Sequence, residues 1–260
     1  MLKRSEIIKQ AEKLCSTISE QLELYCTQYD KEQLHKVRLA IKKLRALIWL
    51  LQQTAGFKAD KVKPALKQVF AHAGRIRTAQ LHVESATEYN INNEEFIQDQ
   101  QLQIKKEEQE LCSKKKQYLQ AVQRVKKNIT EEAENIHNNK AKKFLQLEWS
   151  KLSVFSLALI PHDQWHDKRK QLKRILYALN FLPAAITVSM HFDKQWMDEL
   201  ADKLGKWHDA TLTADLLASN SLNAESEVLR QKREMYVSEI KELLISKQKE
   251  SMLPLEEAGP

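Results

Sequence analysis

Apolar residues recur at helical spacing almost from the first residue. Ile7, Ile8, Ala11, Leu14, Cys15, Ile18 and Leu22 predict a helix from Leu2 to about Thr27. Asp30 is placed to cap a second helix running to about Gln53, and Gly56 marks the next turn. A third helix is predicted from Lys58 to Tyr89, with Pro64 in its first turn, where a missing N–H costs little. After a polar break at Asn90 to Asn93, the pattern resumes from Glu94 to Asn128, and then from Glu131 to about Ile160, where Pro161 interrupts it. His166 to Leu182, stopped by Pro183, then Phe192 to Ser219 and Ala224 to Ser251 complete the series. The tail, residues 251–260, is expected to be disordered. Four Gly and five Pro in 260 residues are too few turn formers for a sheet of many short strands, so the fold class is all-α.

The second helix has two unlike sides. At about 100° per residue from His35, Ala40, Leu47, Leu51, Leu44, Val37, Ile48 and Ile41 gather on a core face. His35, Arg38, Lys42 and Arg45 form a stripe opposite, roughly 15 Å long, with Lys36 and Lys43 as a second basic edge. The later helix repeats this: His166, Arg169 and Lys173 make the stripe, and Leu172, Ile175, Ala178, Leu179 and Leu182 the core face. The two histidines, His35 and His166, are 131 positions apart, and so are Gly74 and Gly205. Only four glycines exist, so this register points to a duplicated helical module with halves of about 1–129 and 130–250.

Charge sharpens the picture. The formal net charge is +7, yet residues 31–80 alone hold twelve Lys/Arg against Glu32 and Asp60. Like charges at i,i+4 oppose one another by a few tenths of a kcal/mol, and no acid lies on the stripe itself to offset them. An external polyanion is the simplest compensation. Arginine offers a planar fork for two phosphate oxygens, lysine a mobile point charge, and histidine a charge that depends on its surroundings. Arg75 and Arg77, with Lys206 and His208 in the later copy, extend the surface where a glycine allows close approach. The Lys/Glu-rich stretch from Lys105 to Lys143 is of mixed sign and reads as a solvated face.

Cys15, Cys26 and Cys112 are widely spaced and lack a CxxC pair, which reads as incidental thiols in a reducing compartment. The charged start is no secretory h-region, and no stretch approaches the roughly 20 apolar residues of a spanning helix. The expected location is the cytoplasm.

At the basic stripes the chain resembles the CHAD family, the conserved histidine α-helical domain. The resemblance lies in His35-x-x-Arg38-x-x-x-Lys42-Lys43-x-Arg45, in His166-x-x-Arg169-x-x-x-Lys173-Arg174-x-x-Tyr177 and in Leu204-Gly205-x-x-x-Asp209, and it spans roughly Ser5 to Gln248. It implies one domain over 1–250, made of two helical bundles related by a pseudo-twofold axis, whose basic faces hold inorganic polyphosphate. It also implies no catalysis, no cofactor, and polyphosphate granules or polyphosphate-metabolising enzymes as partners. The polyphosphate-binding set is then His35, Arg38, Lys42, Lys43, Arg45, Arg75, Arg77, His166, Arg169, Lys173, Arg174, Tyr177 and Lys206. Leu176 stands where the family pattern has another arginine, Asn180 where an acid is usual and Thr78 where aspartate would be, so the second stripe is expected to bind more weakly.

Two other readings compete. A nucleic-acid backbone, RNA or DNA, suits a basic face, and Trp49 on the first stripe offers a base-stacking ring. The ordinary role for Trp49 is stacking on Arg45 or packing at a bundle edge, and Asn180 at the matching later position leaves no row of aromatics. A metal-dependent phosphohydrolase is suggested by the doublets His162-Asp163, His166-Asp167 and His208-Asp209, which lack a defined ligand set. His72, His82, His137 and His191 have no partner legible in the sequence.

Overall fold

The computed structural model describes residues 1–60, 62–91, 93–152 and 154–252. Residues 253–260, most of the tail expected to be disordered, lie outside the described residues. Ten α-helices are present among them: α1 (Arg4–Gln28), α2 (Lys31–Ala55), α3 (Lys63–Glu88), α4 (Glu94–Ser113), α5 (Lys115–Glu132), α6 (Asn138–Leu152), α7 (Trp165–Leu179), α8 (Ala184–Val188), α9 (Lys194–Ser219) and α10 (Asn223–Met252). Two short 3-10 turns, Val154–Ala158 and His162–Gln164, lie between α6 and α7. No described helix is long and apolar enough to cross a membrane.

Local chemistry sets the ends. The Asp30 carboxylate accepts the Glu32 N–H at 2.9 Å and starts α2, which stops at Gly56, a residue with φ 71° that a side chain would strain. Asn93 and Asp193 cap α4 and α9 in the same way, accepting from Phe96 N–H at 2.8 Å and Trp196 N–H at 3.0 Å. Helices α3 and α9 are each 26 residues and begin and end 131 positions apart, the same offset as the two histidine motifs.

Several boundaries differ from the sequence reading: the helix expected to run to about Ile160 ends at Leu152, and a short helix, α8, falls between the two segments read on either side of Pro183 and Phe192. The helix expected over Glu94 to Asn128 is two helices, because the chain turns at Lys114 (φ −89°, ψ 3°) so that α4 packs on α3 while α5 packs on α1. The helix expected from Glu131 starts only at Asn138. The intervening segment pairs instead with the chain's beginning: Leu2 and Ile136 exchange backbone hydrogen bonds at 2.9 and 3.0 Å, and Arg4 donates to the carbonyls of Ala133 (2.8 Å) and Thr130 (2.6 Å). The third helix begins at Lys63 rather than Lys58.

The chain forms two compact units, each drawn from two stretches of sequence. Among the described residues, one comprises 1–146 and 174–192, the other 147–173 and 193–252. In the first, α1 lies against α2 and α5, and α3 against α2 and α4. Its core includes Ile7, Ile18, Leu22, Leu34, Leu44, Leu47 and Leu51, all without solvent exposure. In the second, α9 and α10 pack along one another, and Trp165, Leu200, Leu204, Ala214, Leu229 and Ile240 are buried.

Cys26 and Cys112 are bonded to each other, with 5.4 Å between their Cα atoms, tying the last turn of α1 to the last turn of α4. This corrects the reading of three incidental thiols, since two of them are paired. Cys15 is the buried free thiol, its pKa pushed up to about 12 by burial.

Candidate functional site

In the first unit, α2 presents its basic side as its periodicity requires. Val37, Ala40, Ile41, Leu44, Leu47, Ile48 and Leu51 are all buried, while His35, Lys36 and Arg45 are exposed and Arg38, Lys42 and Lys43 half-buried. Arg38 reaches across to α3. Its guanidinium sits 4.5 Å above the centre of the Phe70 ring, and Nη1 donates to the Phe70 carbonyl at 3.2 Å. A β-carbon on Gly74 would lie 2.8 Å from that Nη1, so the glycine makes room for the arginine. Arg45 lies over the same ring at 5.4 Å. Phe70 thus carries two arginines, each cation–π pair worth about 0.5–1 kcal/mol and each fixing a cation that would otherwise be mobile.

The two arginines of α3 separate, because positions 75 and 77 are about 200° apart on a helix. Arg77 turns to the α2 side and pairs with Glu84 at 3.1 Å, and Lys31 takes the same carboxylate at 3.0 Å. Burial pushes the Glu84 carboxyl up, but Arg77 and Lys31 outweigh it and hold the pKa below the ordinary value. Arg75 turns to α4, where its Nε donates to Glu107 at 2.7 Å. Glu107 is only 7% exposed, although it lies in the stretch read as solvated. It also accepts from Gln103 at 3.1 Å, and its carboxylate is 3.3 Å from His72 Nε2. His72 Nδ1 meets the Tyr118 hydroxyl at 2.8 Å, and burial holds the imidazole's pKa down. His82, likewise partnerless in the sequence reading, bonds Gln100 at 3.0 Å. The structure therefore brings Arg38 and Arg45 together and sends Arg75 into a separate, paired network.

Residues 174–192 belong to this first unit. Arg174 is seated 4.2 Å over the Trp49 ring, and Trp49 meets Phe144 edge-on at 4.7 Å. Trp49 thus packs against Phe144, and the cation over its ring is Arg174 rather than Arg45. Tyr177 is half-buried one turn further on. Leu176, at the register position of Arg45, is buried with 2% exposure, so the later helix turns core where the earlier one still offers charge.

In the second unit, Arg169 lies against Gly205 as Arg38 does against Gly74, with Nη2 3.4 Å from a β-carbon built on the glycine. Lys173 pairs with Asp202 at 2.8 Å, and Lys206 is exposed. His166 and His208 stack, their ring centres 4.1 Å apart and their planes 35° from parallel. Burial lowers the pKa of both imidazoles, and the neighbouring cations Arg169 and Lys170 lower it further, with His208 reaching about 4.

The three His-Asp doublets do not assemble into a ligand set among the described residues. The one group of three potential metal ligands found there is His72, Glu107 and Glu110. Arg75 already donates to Glu107 and Lys114 to Glu110, so the site is an ion-pair network with its carboxylates occupied.

The family described as "CHAD domain" matches residues 9–218 of this chain. The fold is similar to the crystal structure of the CHAD domain from the plant Ricinus communis, with a TM-score of 0.71 at 15% identity over 94% of this chain and 92% of that one. It is also similar to PptA from Streptomyces chartreusis, with a TM-score of 0.65 at 12% identity over 96% of this chain and 100% of that one. Among curated proteins no significant sequence match was found.

Proposed function

This chain belongs to the CHAD domain family, and from that premise we propose that it binds inorganic polyphosphate through the basic side of each unit and catalyses no reaction on it. The observation that carries the reading is the seat of Arg38. Its guanidinium is fixed over Phe70, in the space Gly74 leaves, with Arg45 over the same ring. Fixed cations on one face lose little freedom when they meet a linear polyanion, so more of the electrostatic attraction appears as affinity. Among the described residues Lys43 and Arg45 have no acidic partner that a ligand must displace, whereas Arg75 and Arg77 do. The core contributors are then His35, Arg38, Lys42, Lys43 and Arg45 in the first unit, and His166, Arg169, Lys173 and Lys206 in the second.

The seat of Trp49 between Phe144 and Arg174 weakens the nucleic-acid alternative, since a ring engaged on its edge and by a cation is poorly available to stack a base. Labelled long-chain polyphosphate should be titrated over a salt series, with single-stranded RNA and duplex DNA at equal phosphate concentration as competitors. Wild type is expected to hold polyphosphate against both. Arg38→Ala/Arg45→Ala should weaken binding and flatten the log–log salt slope by about one for each phosphate that is no longer neutralised. Incubation with polyphosphate and a divalent cation should release no orthophosphate. Equal displacement by RNA, or no binding near physiological salt, would end this reading.

A further inference from the structure

Resting on the polyphosphate reading, we propose that His208, together with His166 and Arg169, forms an oxyanion site in the second unit that takes up phosphoryl oxygens and a proton together. This gives that unit an added grip on the polymer that tightens on acidification, at the register position where the first unit carries the permanently charged Arg77.

The register supplies the contrast. His208 follows Arg77 by 131 positions on helices that share that offset, so a permanent cation in one unit corresponds to a titratable one in the other. Arg77 has its counter-ion in Glu84. His208 has none among the described residues. The charged groups that face the His166–His208 pair from α7 are Arg169, Lys170 and Asp167, and Asp167 acts on His166 and accepts from Lys170 at 3.1 Å. From α10, the other helix packed along α9, Glu239 pairs with Lys203 at 2.8 Å, while Glu234, Arg233 and Lys241 act on His162 rather than His208. On α9 itself, the Trp207 ring is 6.2 Å from His208, and the charged residues nearest His208 in sequence are the exposed Lys206 and the half-buried Asp209, the latter about 100° round the helix.

Three buried polar atoms in this cluster have no hydrogen-bond partner: His166 Nδ1, Arg169 Nε and Trp207 Nε1. Arginine and indole nitrogens only donate, so what the cluster lacks is an acceptor. Unsatisfied buried donors destabilise the protein until an acceptor reaches them, and an oxyanion is an acceptor that also meets the surrounding positive charge. Two imidazoles 4.1 Å apart beside Arg169 and Lys170 resist protonation. A phosphoryl oxygen reverses the local sign, so anion and proton each favour the other's binding by the same factor. The reaction is a proton uptake from solvent onto an imidazole nitrogen, with no covalent change in the ligand.

The test follows the histidine C–H NMR signals of the full chain from pH 8 to pH 5, with and without long-chain polyphosphate, alongside affinity at each pH for wild type, His208→Gln, His208→Arg and Arg38→Ala/Arg45→Ala. The expected result is a His208 pKa raised by more than one unit in the complex. Wild-type affinity should rise by up to about tenfold per pH unit where one proton is linked. That slope should be flattened in both His208 variants and kept in Arg38→Ala/Arg45→Ala, with His208→Arg holding affinity at pH 8. Tight binding whose pH slope survives His208→Gln, or an unmoved His208 pKa, overturns this proposal and leaves polyphosphate binding standing. Absence of binding at every pH overturns both.

Discussion

Arg38 Nη1 lies 2.8 Å from where a β-carbon on Gly74 would sit, and the register-related pair Arg169 and Gly205 repeats the arrangement at 3.4 Å. The first spacing is too short for a real contact and the second is merely tight, so the glycine matters more in the first unit. Gly74→Ala should push the guanidinium off Phe70. Because the displaced group is the end of a flexible side chain, and alanine gains about 1 kcal/mol over glycine in a helix, the melting temperature should hold or rise. Affinity for polyphosphate should fall about tenfold, the equivalent of one charged interaction of about 1.4 kcal/mol. Gly205→Ala should lose about threefold or less. Paired thermal melts and titrations separate the two effects.

Trp49 is a packing residue before it is anything else. Trp49→Ala removes the edge contact with Phe144 and the platform under Arg174, and should destabilise the protein by about 3 kcal/mol. Trp49→Phe should keep most of that stability. Urea denaturation of both variants reads the difference, and polyphosphate affinity of Trp49→Phe should stay close to wild type.

Glu107 is buried and shared by Arg75, Gln103 and His72. Glu107→Gln leaves Arg75 without its counter-ion and should cost about 1–3 kcal/mol in chemical denaturation. Because Arg75 is half exposed, part of that cost is screened by water. Polyphosphate affinity should not fall, since the change releases a cation.

Acid should weaken the fold before it titrates carboxylates. His72, His82, His162, His166 and His208 all have pKa values lowered, in each case chiefly by burial. The unfolded chain therefore binds protons near pH 6.5 that the folded chain refuses, so stability is full above that pH and is lost as pH falls toward the folded values, about 4 for His208. Glu84 and Asp193, with carboxyl pKa values held down, add a loss in the same direction below about pH 4.5. Melting temperatures at pH 8, 6.5 and 5 should fall modestly between the first two and more steeply at the third.

The bond between Cys26 and Cys112 closes a loop with a sequence separation of 86. Closing a loop of that size is worth about 4.6 kcal/mol in the chain-entropy view, and 2–4 kcal/mol is typical in practice. Cys26→Ser should lower stability by that order under oxidising conditions and change little in a thiol reductant. Native protein should show no alkylatable thiol, since Cys15 is buried with its pKa raised to about 12. After reduction it should show two.

Much of this was legible along the chain because short-range physics decided it. Asp30 and Gly56 bound α2 as their side-chain chemistry dictates, and the seven apolar residues of its core face are all buried. The break at Lys114 has no glycine or proline to announce it, and tertiary packing alone places α4 and α5 on different helices. Cys26 with Cys112, and Trp49 with Arg174, are far apart in sequence and share no periodic signal. Phe70 was the site residue within reach: with Gly74 and Arg77 it occupies positions i, i+4 and i+7 of one helical face, the face that receives Arg38. His208 was visible as the register partner of Arg77, but its stack on His166 required the fold.

Residues 174–192 complete the unit that begins at Met1, through contacts such as Arg174 on Trp49 and the Lys142 ammonium on the Ser189 carbonyl at 2.9 Å. During synthesis, domains generally form in the order their residues leave the ribosome. Here the leading 146 residues emerge with Trp49 still lacking its arginine, and a stretch of the other unit must be made before that partner arrives. The nascent chain therefore carries an unfinished amino-terminal bundle through some thirty further residues of translation, an interval in which its uncovered edge is open to a chaperone or to the same edge of a neighbouring chain on the polysome.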